Sequence, residues 1–199
     1  RVLCAWRFAT DRGCSSGVRP QHSTIISRQR SKGDLMARKR RIQFEDGIFH
    51  VIFRGVDGRL IFLDDRDHQA FLDRLMRGVK THEVQPYFFC MMPNHVHMAL
   101  HTCRANLSGF MHQVQTAYSM YFNRRYERCG HLMQSRFWSK PVENSPYLLR
   151  LSRYVHLNPV RGSACTTDSV LQRREKLHRY AWSSYAGYAG LNKQWSFIT

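Results

Sequence analysis

The sequence predicts an α+β domain built on an antiparallel sheet, and three observations lead there. Apolar runs of strand length alternate with longer segments in which apolar residues recur at helical spacing. The two central strand-like runs are separated only by Pro93-Asn94, a break that allows a hairpin and excludes a crossover. A further helix-period segment follows the last strand-like run and ends at a proline.

The elements follow in order. Ile48-Phe-His-Val-Ile-Phe53 reads as a strand and Arg54-Gly-Val-Asp-Gly-Arg59 as a basic turn. Asp64 and Asp65 are candidate N-caps for a helix over 66–82, with Phe71, Leu72, Leu75 and Val79 as its apolar stripe. Strands over 84–92 and 95–101 come next. Asn106 or Ser108 starts a second helix running to about residue 128, and Phe137 to Val142 forms another strand. Ser145-Pro146 supplies an N-cap and first-turn proline for a third helix, which must stop near Asn158 because Pro159 disfavours helical geometry in the residue before it. The order β-α-β-β-α-β-α is the split βαβ pattern of a ferredoxin-like domain with an added helix.

Composition narrows the partners. The 199 residues suffice for one well-packed domain, and no run approaches the eighteen or so apolar residues of a membrane span. The formal charge is +17, from 31 Lys+Arg against 14 Asp+Glu. Seven of the basic and two of the acidic residues fall in 1–35, which leaves 24 against 12 in the remainder. The basic signal therefore belongs to the patterned part and, interleaved with aromatics, favours a polyanionic partner such as nucleic acid over a membrane surface. Residues 1–35 are Gly-, Ser- and Arg-rich without period and read as a disordered or non-native extension, with Met36 opening the folded unit at 36–190. The six cysteines form no Cys-x-x-Cys pair, and with no secretory signal in view they read as reduced thiols of a cytoplasmic protein.

Chemistry concentrates at Pro93-Asn-His-Val-His97. Two histidines one residue apart on a strand point to one side with ~6.6 Å of rise between them, within reach of a single metal ion. Such a pair is as often structural. The third helix, Ser145 to Asn158, adds weight. Leu148, Leu151 and Val155 mark its buried stripe, while Tyr147, Arg150, Tyr154 and Asn158 recur at steps of three or four on a neighbouring face. A phenol with a pKa of ~10 is a weak nucleophile and needs a polarised phosphodiester. A divalent cation on His95, His97 and the Asn158 amide would act as that Lewis acid. Attack by Tyr154 would then give a phosphotyrosine and free a 3′-hydroxyl, keeping the bond energy for rejoining. No phosphate-binding Gly-x-x-x-x-Gly-Lys-Ser/Thr loop is present, in keeping with chemistry that uses no nucleotide cofactor. Among nine tyrosines only Tyr154 and Tyr188 have Asn four residues on, and two glycines around Tyr188 argue against a helix there. Tyr118 and Tyr121 read as packing or base-stacking groups.

Tyr87–Leu100 with its His-Val-His, Tyr121-Phe-Asn-Arg-Arg125, Gly130–Arg136, Ser152-Arg-Tyr-Val-His-Leu-Asn-Pro-Val-Arg161 and Trp182-Ser-Ser-Tyr185 together resemble the single-tyrosine HUH transposases, most closely the REP-associated tyrosine transposases. The resemblance covers about 36–190. It implies a ferredoxin-like fold, Mg²⁺ or Mn²⁺ dependence, and cleavage and rejoining of single-stranded DNA near palindromic hairpins. It puts His95 and His97 on the metal-binding pair, Tyr154 on the nucleophile and Asn158 on the third ligand. Metal identity comes from the resemblance alone, since imidazole by itself suits Zn²⁺. Residues 191–199 read as a tail, truncated relative to many members.

For phosphate contact the candidates are Arg38, Lys39, Arg40, Arg41, Arg54, Arg59, Arg124, Arg125, Arg136 and Lys140, with Arg150 singled out for the scissile phosphate. Phe137 and Trp138 are candidates for base stacking. His101 lies about 13 Å along the strand from His97, and His156 is turned about 200° from Tyr154, so both read as structural groups or as supports behind the site residues. Two other readings compete: a catalytically inactive hairpin-binding module of the same fold, and a zinc protein using the histidine pair. The sequence fits a monomer or a homodimer.

Overall fold

In the computed structural model, which describes residues 41–162, 165 and 167–191, a four-stranded antiparallel sheet has the order β2-β3-β1-β4. Its strands are β1 (Gly47–Arg54), β2 (Val84–Met92), β3 (His95–Thr102) and β4 (Trp138–Pro141). Helix α1 (Asp65–His82) connects β1 to β2, and α2 (Leu107–Arg125) connects β3 to β4. Both parallel pairs of this arrangement, β1 with β2 and β3 with β4, enclose an antiparallel strand, which is the split βαβ topology the element order predicts. Arg38, Lys39 and Arg40, the proposed extension 1–35 and most of the proposed tail lie outside the described residues.

Alternation assigns the two faces of the sheet. Phe49, Val51 and Phe53 of β1 and Val96, Met98 and Leu100 of β3 point to one side. There they meet Phe71, Leu72 and Leu75 of α1 and Phe110, Met111, Val114, Tyr118 and Phe122 of α2 in the main core. The two helices approach closely at Gly78, where a Cβ would sit 2.9 Å from Val114 Cγ2. Asp64 is the N-cap of α1, its carboxylate accepting from the Asp67 amide, and Asp65 is the first helical residue. Helix α2 ends at Arg125, three residues before the sequence suggests.

Helix α3 (Ser145–His156) packs on the other face. Leu151 and Val155 bury against Phe88, Cys90 and Ala99 of β2 and β3, each apolar side chain contributing about 2 kcal/mol. The N-cap is Asn144, which accepts from the Tyr147 amide, and not Ser145; Pro146 lies in the first turn as expected. The helix closes at His156, and Asn158–Val160 forms a separate 3-10 turn. The α-helix thus stops two residues before Asn158.

Helix α4 (Val170–Arg179), begun by a Ser169–Gln172 capping box, goes beyond the sequence reading, and the single turn α5 (Tyr185–Tyr188) corrects it, forming despite the glycines around Tyr188. The segment before α5 runs along the outer edge of β2, with Met91 N–H donating to Trp182 O and Ser184 N–H to Phe89 O. Cys90, Cys103, Cys129 and Cys165 are free thiols. Among the described residues no helix is long and apolar enough to cross a membrane.

Candidate active site

Because α3 covers only the β2–β3 half of its face, the β1–β4 half stays open beside it. Strand alternation sends His95 and His97 to that face. Register places Ile52 opposite His97, Arg54 opposite His95 and His50 opposite Ala99, so His50 is a diagonal neighbour of His97. Lys140 and Trp138 of β4 stand opposite His50 and Ile52 on the same side. Tyr154 projects from the flank of α3 over this ground. Its ring centroid is 5.4 Å from that of His97 and 6.3 Å from that of His50. With 42% of its surface exposed, its ring touches the histidines while remaining reachable from solvent.

Hydrogen bonds set how the histidines present themselves. Asn94 Nδ2 donates to Gly58 O, which fixes its amide, and Asn94 Oδ1 accepts from His95 Nδ1 at 2.7 Å. The His95 proton is thereby assigned to Nδ1 and the Nε2 lone pair is left for another partner. His97 Nδ1 lies 3.2 Å from His50 Nε2. With the proton on His97 Nδ1, His97 Nε2 is likewise a lone-pair donor. The Asn158 side chain stands beside the His95 ring.

Burial lowers the pKa of all three histidines. His97 falls to about 3, chiefly through burial and then through His95 and His50 beside it. His50 falls to about 4, through burial and then Lys140. His95 is lowered by burial and, to a smaller extent, by Arg54, with the Asn158 side chain acting in the opposite direction. All three are neutral at pH 7, the form in which imidazole binds a metal.

These donors fit a divalent cation in part-open coordination. The His95 and His97 rings lie 5.0 Å apart with the Asn158 side chain beside His95, and each imidazole has its Nδ1 held by a partner, as metal-ligating histidines do. Among the described residues no three His, Cys, Asp or Glu side chains are grouped to hold a metal ion. His50 aims its Nε2 at His97 Nδ1 and so holds that ring.

The remaining candidates separate. Lys140 lies on the site face, its ammonium 5.1 Å from the Tyr147 ring. Trp138, half exposed, sets its edge against His50 at 5.6 Å. Arg54 is exposed at the end of β1 and donates to Gln134 Oε1. Arg59, Arg136 and Arg150 are exposed. Arg41 donates to Phe137 O and covers the Phe137 ring. Phe137 is core and closed to base stacking. Arg124 belongs to α2, across the sheet, where it lines a cleft of about 760 Å³ with Arg74 and Arg77. Arg125 bridges Asp64 at 2.5 Å and the fully buried Asp67 at 2.7 Å, so its guanidinium serves the fold. Tyr118 is core, its hydroxyl donating to Ile61 O, while Tyr121 is half-buried and donates to Asp67. His101 faces Asp46 and stacks on Tyr87, and His156 is buried.

Two site residues escape sequence reasoning. His50 was readable as the one polar residue within an apolar strand, but its relation to His97 needs the β1–β3 register. The guanidinium over the Tyr154 ring, at 5.0 Å, belongs to Arg161, not to Arg150.

A solved structure described as the REP-associated tyrosine transposase bound to a REP hairpin is similar at 17% identity and a TM-score of 0.59, covering 79% of this chain and 88% of that one. A putative transposase from Deinococcus radiodurans R1 matches at 16% identity and a TM-score of 0.43, covering 60% of this chain and 95% of that one. No curated protein matches the chain. Residues 43–158, more than half of the sequence and the span that holds both histidines, Tyr154 and Asn158, match the family described as "Transposase IS200 like", and the chain belongs to that transposase family.

Proposed function

We propose that this transposase cleaves and rejoins single-stranded DNA at palindromic, REP-like hairpins through a 5′-phosphotyrosine formed on Tyr154, and that this activity resides in residues 36–190. The observation that carries the reading is Tyr154 lying against His97 of its own chain. Tyr154 Oη gives up its proton as it attacks the scissile phosphorus, the P–O3′ bond breaks, and the leaving 3′-oxygen takes up one proton, so the exchange is balanced. Rejoining is the reverse, a 3′-hydroxyl displacing the tyrosyl oxygen, so no triphosphate is consumed.

His95, His97 and Asn158 would hold the divalent cation, Mg²⁺ or Mn²⁺ on the family resemblance, which supplies Lewis-acid polarisation of the phosphate when bound. His50 orients the His97 ring. Arg161 offers positive charge beside the phenol, and Lys140 and Arg54 line the open face where a strand would enter. Trp138 presents a ring to an unpaired base. The hairpin in the similar transposase structure supports the choice of DNA.

The test is incubation of labelled single-stranded hairpin DNA with the protein and Mg²⁺ or Mn²⁺, followed by denaturing electrophoresis. A covalent protein–DNA band that Tyr154→Phe abolishes is expected. Hairpin binding without any band would leave the inactive binding module as the function.

A further inference from the structure

The Trp182-Ser-Ser-Tyr185 segment lies outside the matched family span and takes no part in the chemistry above. It is nevertheless fastened to the helix that carries the nucleophile. Ser184 Oγ lies 2.8 Å from His156 Nε2. The same oxygen accepts from Phe89 N–H at 2.9 Å and reaches Phe89 O at 3.1 Å. On the far side of the imidazole, Ser152 Oγ is 3.3 Å from His156 Nδ1. One proton assignment satisfies every group: Ser152 donates to Nδ1, Nε2–H donates to Ser184, and Ser184 donates to Phe89 O. Ser184 and His156 are both buried, so breaking the chain would strand polar atoms away from water.

The strap itself is firmly set. Besides the two backbone bonds to β2, Tyr180 Oη donates to Met91 O at 2.6 Å and Tyr188 Oη to Tyr87 O. Trp182 stacks on His68 at 4.5 Å and donates to Asp65 at 2.9 Å. Ser184 is therefore a fixed point on the sheet. His156 is the last residue of α3, two residues from Tyr154 and two from Asn158. The apolar grip on α3 comes from Leu151 and Val155, and apolar contact resists separation better than rotation or sliding. A directional bond in the last turn supplies what that grip lacks.

We propose that Ser184 is a positioning residue for strand cleavage. Through His156 it fixes the rotation and axial setting of the last turn of α3, and hence where Tyr154 Oη meets the phosphorus. The inference rests on Tyr154 being the nucleophile, as argued above.

Single-turnover formation of the covalent DNA adduct at saturating hairpin, with hairpin affinity measured in parallel, tests it. Ser184→Ala and His156→Leu are expected to slow adduct formation about tenfold or more while the Kd stays within about twofold, since small displacements of a reacting group cost rate and not binding. The double variant should be no slower than either single one. His156→Gln, whose amide donates from nearly the Nε2 position, should recover most of the rate. Hydrogen exchange of the Ser184→Ala chain should quicken at residues 151–157 while β1 and β3 keep their protection. A folded Ser184→Ala chain with an unchanged rate overturns the proposal. So does a rate loss that parallels general loss of protection, or failure of both single variants to fold, each of which marks a purely structural contact. If the wild type forms no adduct, the proposed function is what fails, and faster exchange confined to 151–157 still tests the clamp.

Discussion

Asn158 reaches the His95 ring from outside the helix that carries Tyr154. Helix α3 closes at His156, and Pro159 opens a 3-10 turn that redirects the chain, so the amide and the phenol are set by two different pieces of backbone. The turn therefore determines whether an oxygen ligand stands beside the histidine pair.

Asn158→Ala should raise the Mn²⁺ concentration needed for half-maximal adduct formation by about tenfold or more. Metal-free hairpin affinity should stay unchanged, because a neutral amide supplies no charge to the phosphates. An unaltered metal titration would remove Asn158 from the ligand set.

His50 should behave as a support for a ligand. Its Nε2 lies 3.2 Å from His97 Nδ1 and fixes that ring. Removing such a partner typically weakens metal binding by about 10–100-fold. His50→Phe is expected to weaken Mn²⁺ binding within that range, measured by calorimetry on the folded protein, and His50→Gln to weaken it less.

The sheet and its hairpin were legible because period-two alternation and the Pro93-Asn94 break are local signals. His95, His97 and Tyr154 were legible for the same reason, each sitting in a short motif on one element. What escaped depends on pairing between distant segments. Arg125 looks like a free cation at a helix end until the start of α1 folds against it and supplies Asp64 and Asp67. Arg161 follows a proline and returns to Tyr154 only because the 3-10 turn bends it back. Ser183 and Ser184 carry no periodicity, and their partner strand lies more than ninety residues earlier.

Acid should destabilise the fold. Burial holds His156 at about 4, and burial is also the main cause that lowers His50 and His97. In the unfolded chain each titrates near the ordinary value of about 6.5, so below that pH the unfolded state binds more protons. Stability is full above about pH 6.5 and declines as pH falls towards 4. His156 alone accounts for about 3 kcal/mol across that window. Urea midpoints measured from pH 7.5 to 4.5 should fall steadily, and His156→Gln should flatten the curve. A flat wild-type profile would contradict the neutral buried state of these rings.

Arg125→Ala should act on the fold and not on DNA. The substitution leaves Asp67 buried beside Tyr121 and Tyr126 without its cation. A lower urea midpoint is expected, together with hairpin affinity and salt dependence equal to wild type in the folded fraction. Loss of a phosphate contact would instead reduce the salt slope by about one.

Arg161 should matter for rate more than any other cation on this face. Its guanidinium sits 5.0 Å from the Tyr154 ring centroid, a cation over the ring that holds the phenol and brings positive charge to this side of the site. As the P–O bond to Tyr154 forms, negative charge gathers on the phosphoryl oxygens, and a preorganised guanidinium gains attraction without moving. Arg161→Ala should slow adduct formation by about 10²-fold, in the range seen when one such donor is removed. Arg161→Lys should recover only part of that, because a point charge lacks the planar stacking on the ring. Arg150→Ala, by contrast, should slow it by less than about fivefold, since its exposed side chain is not the one stacked on the tyrosine. Comparing the three variants at saturating hairpin separates the two arginines, and equal losses at Arg150 and Arg161 would return both to general electrostatic attraction.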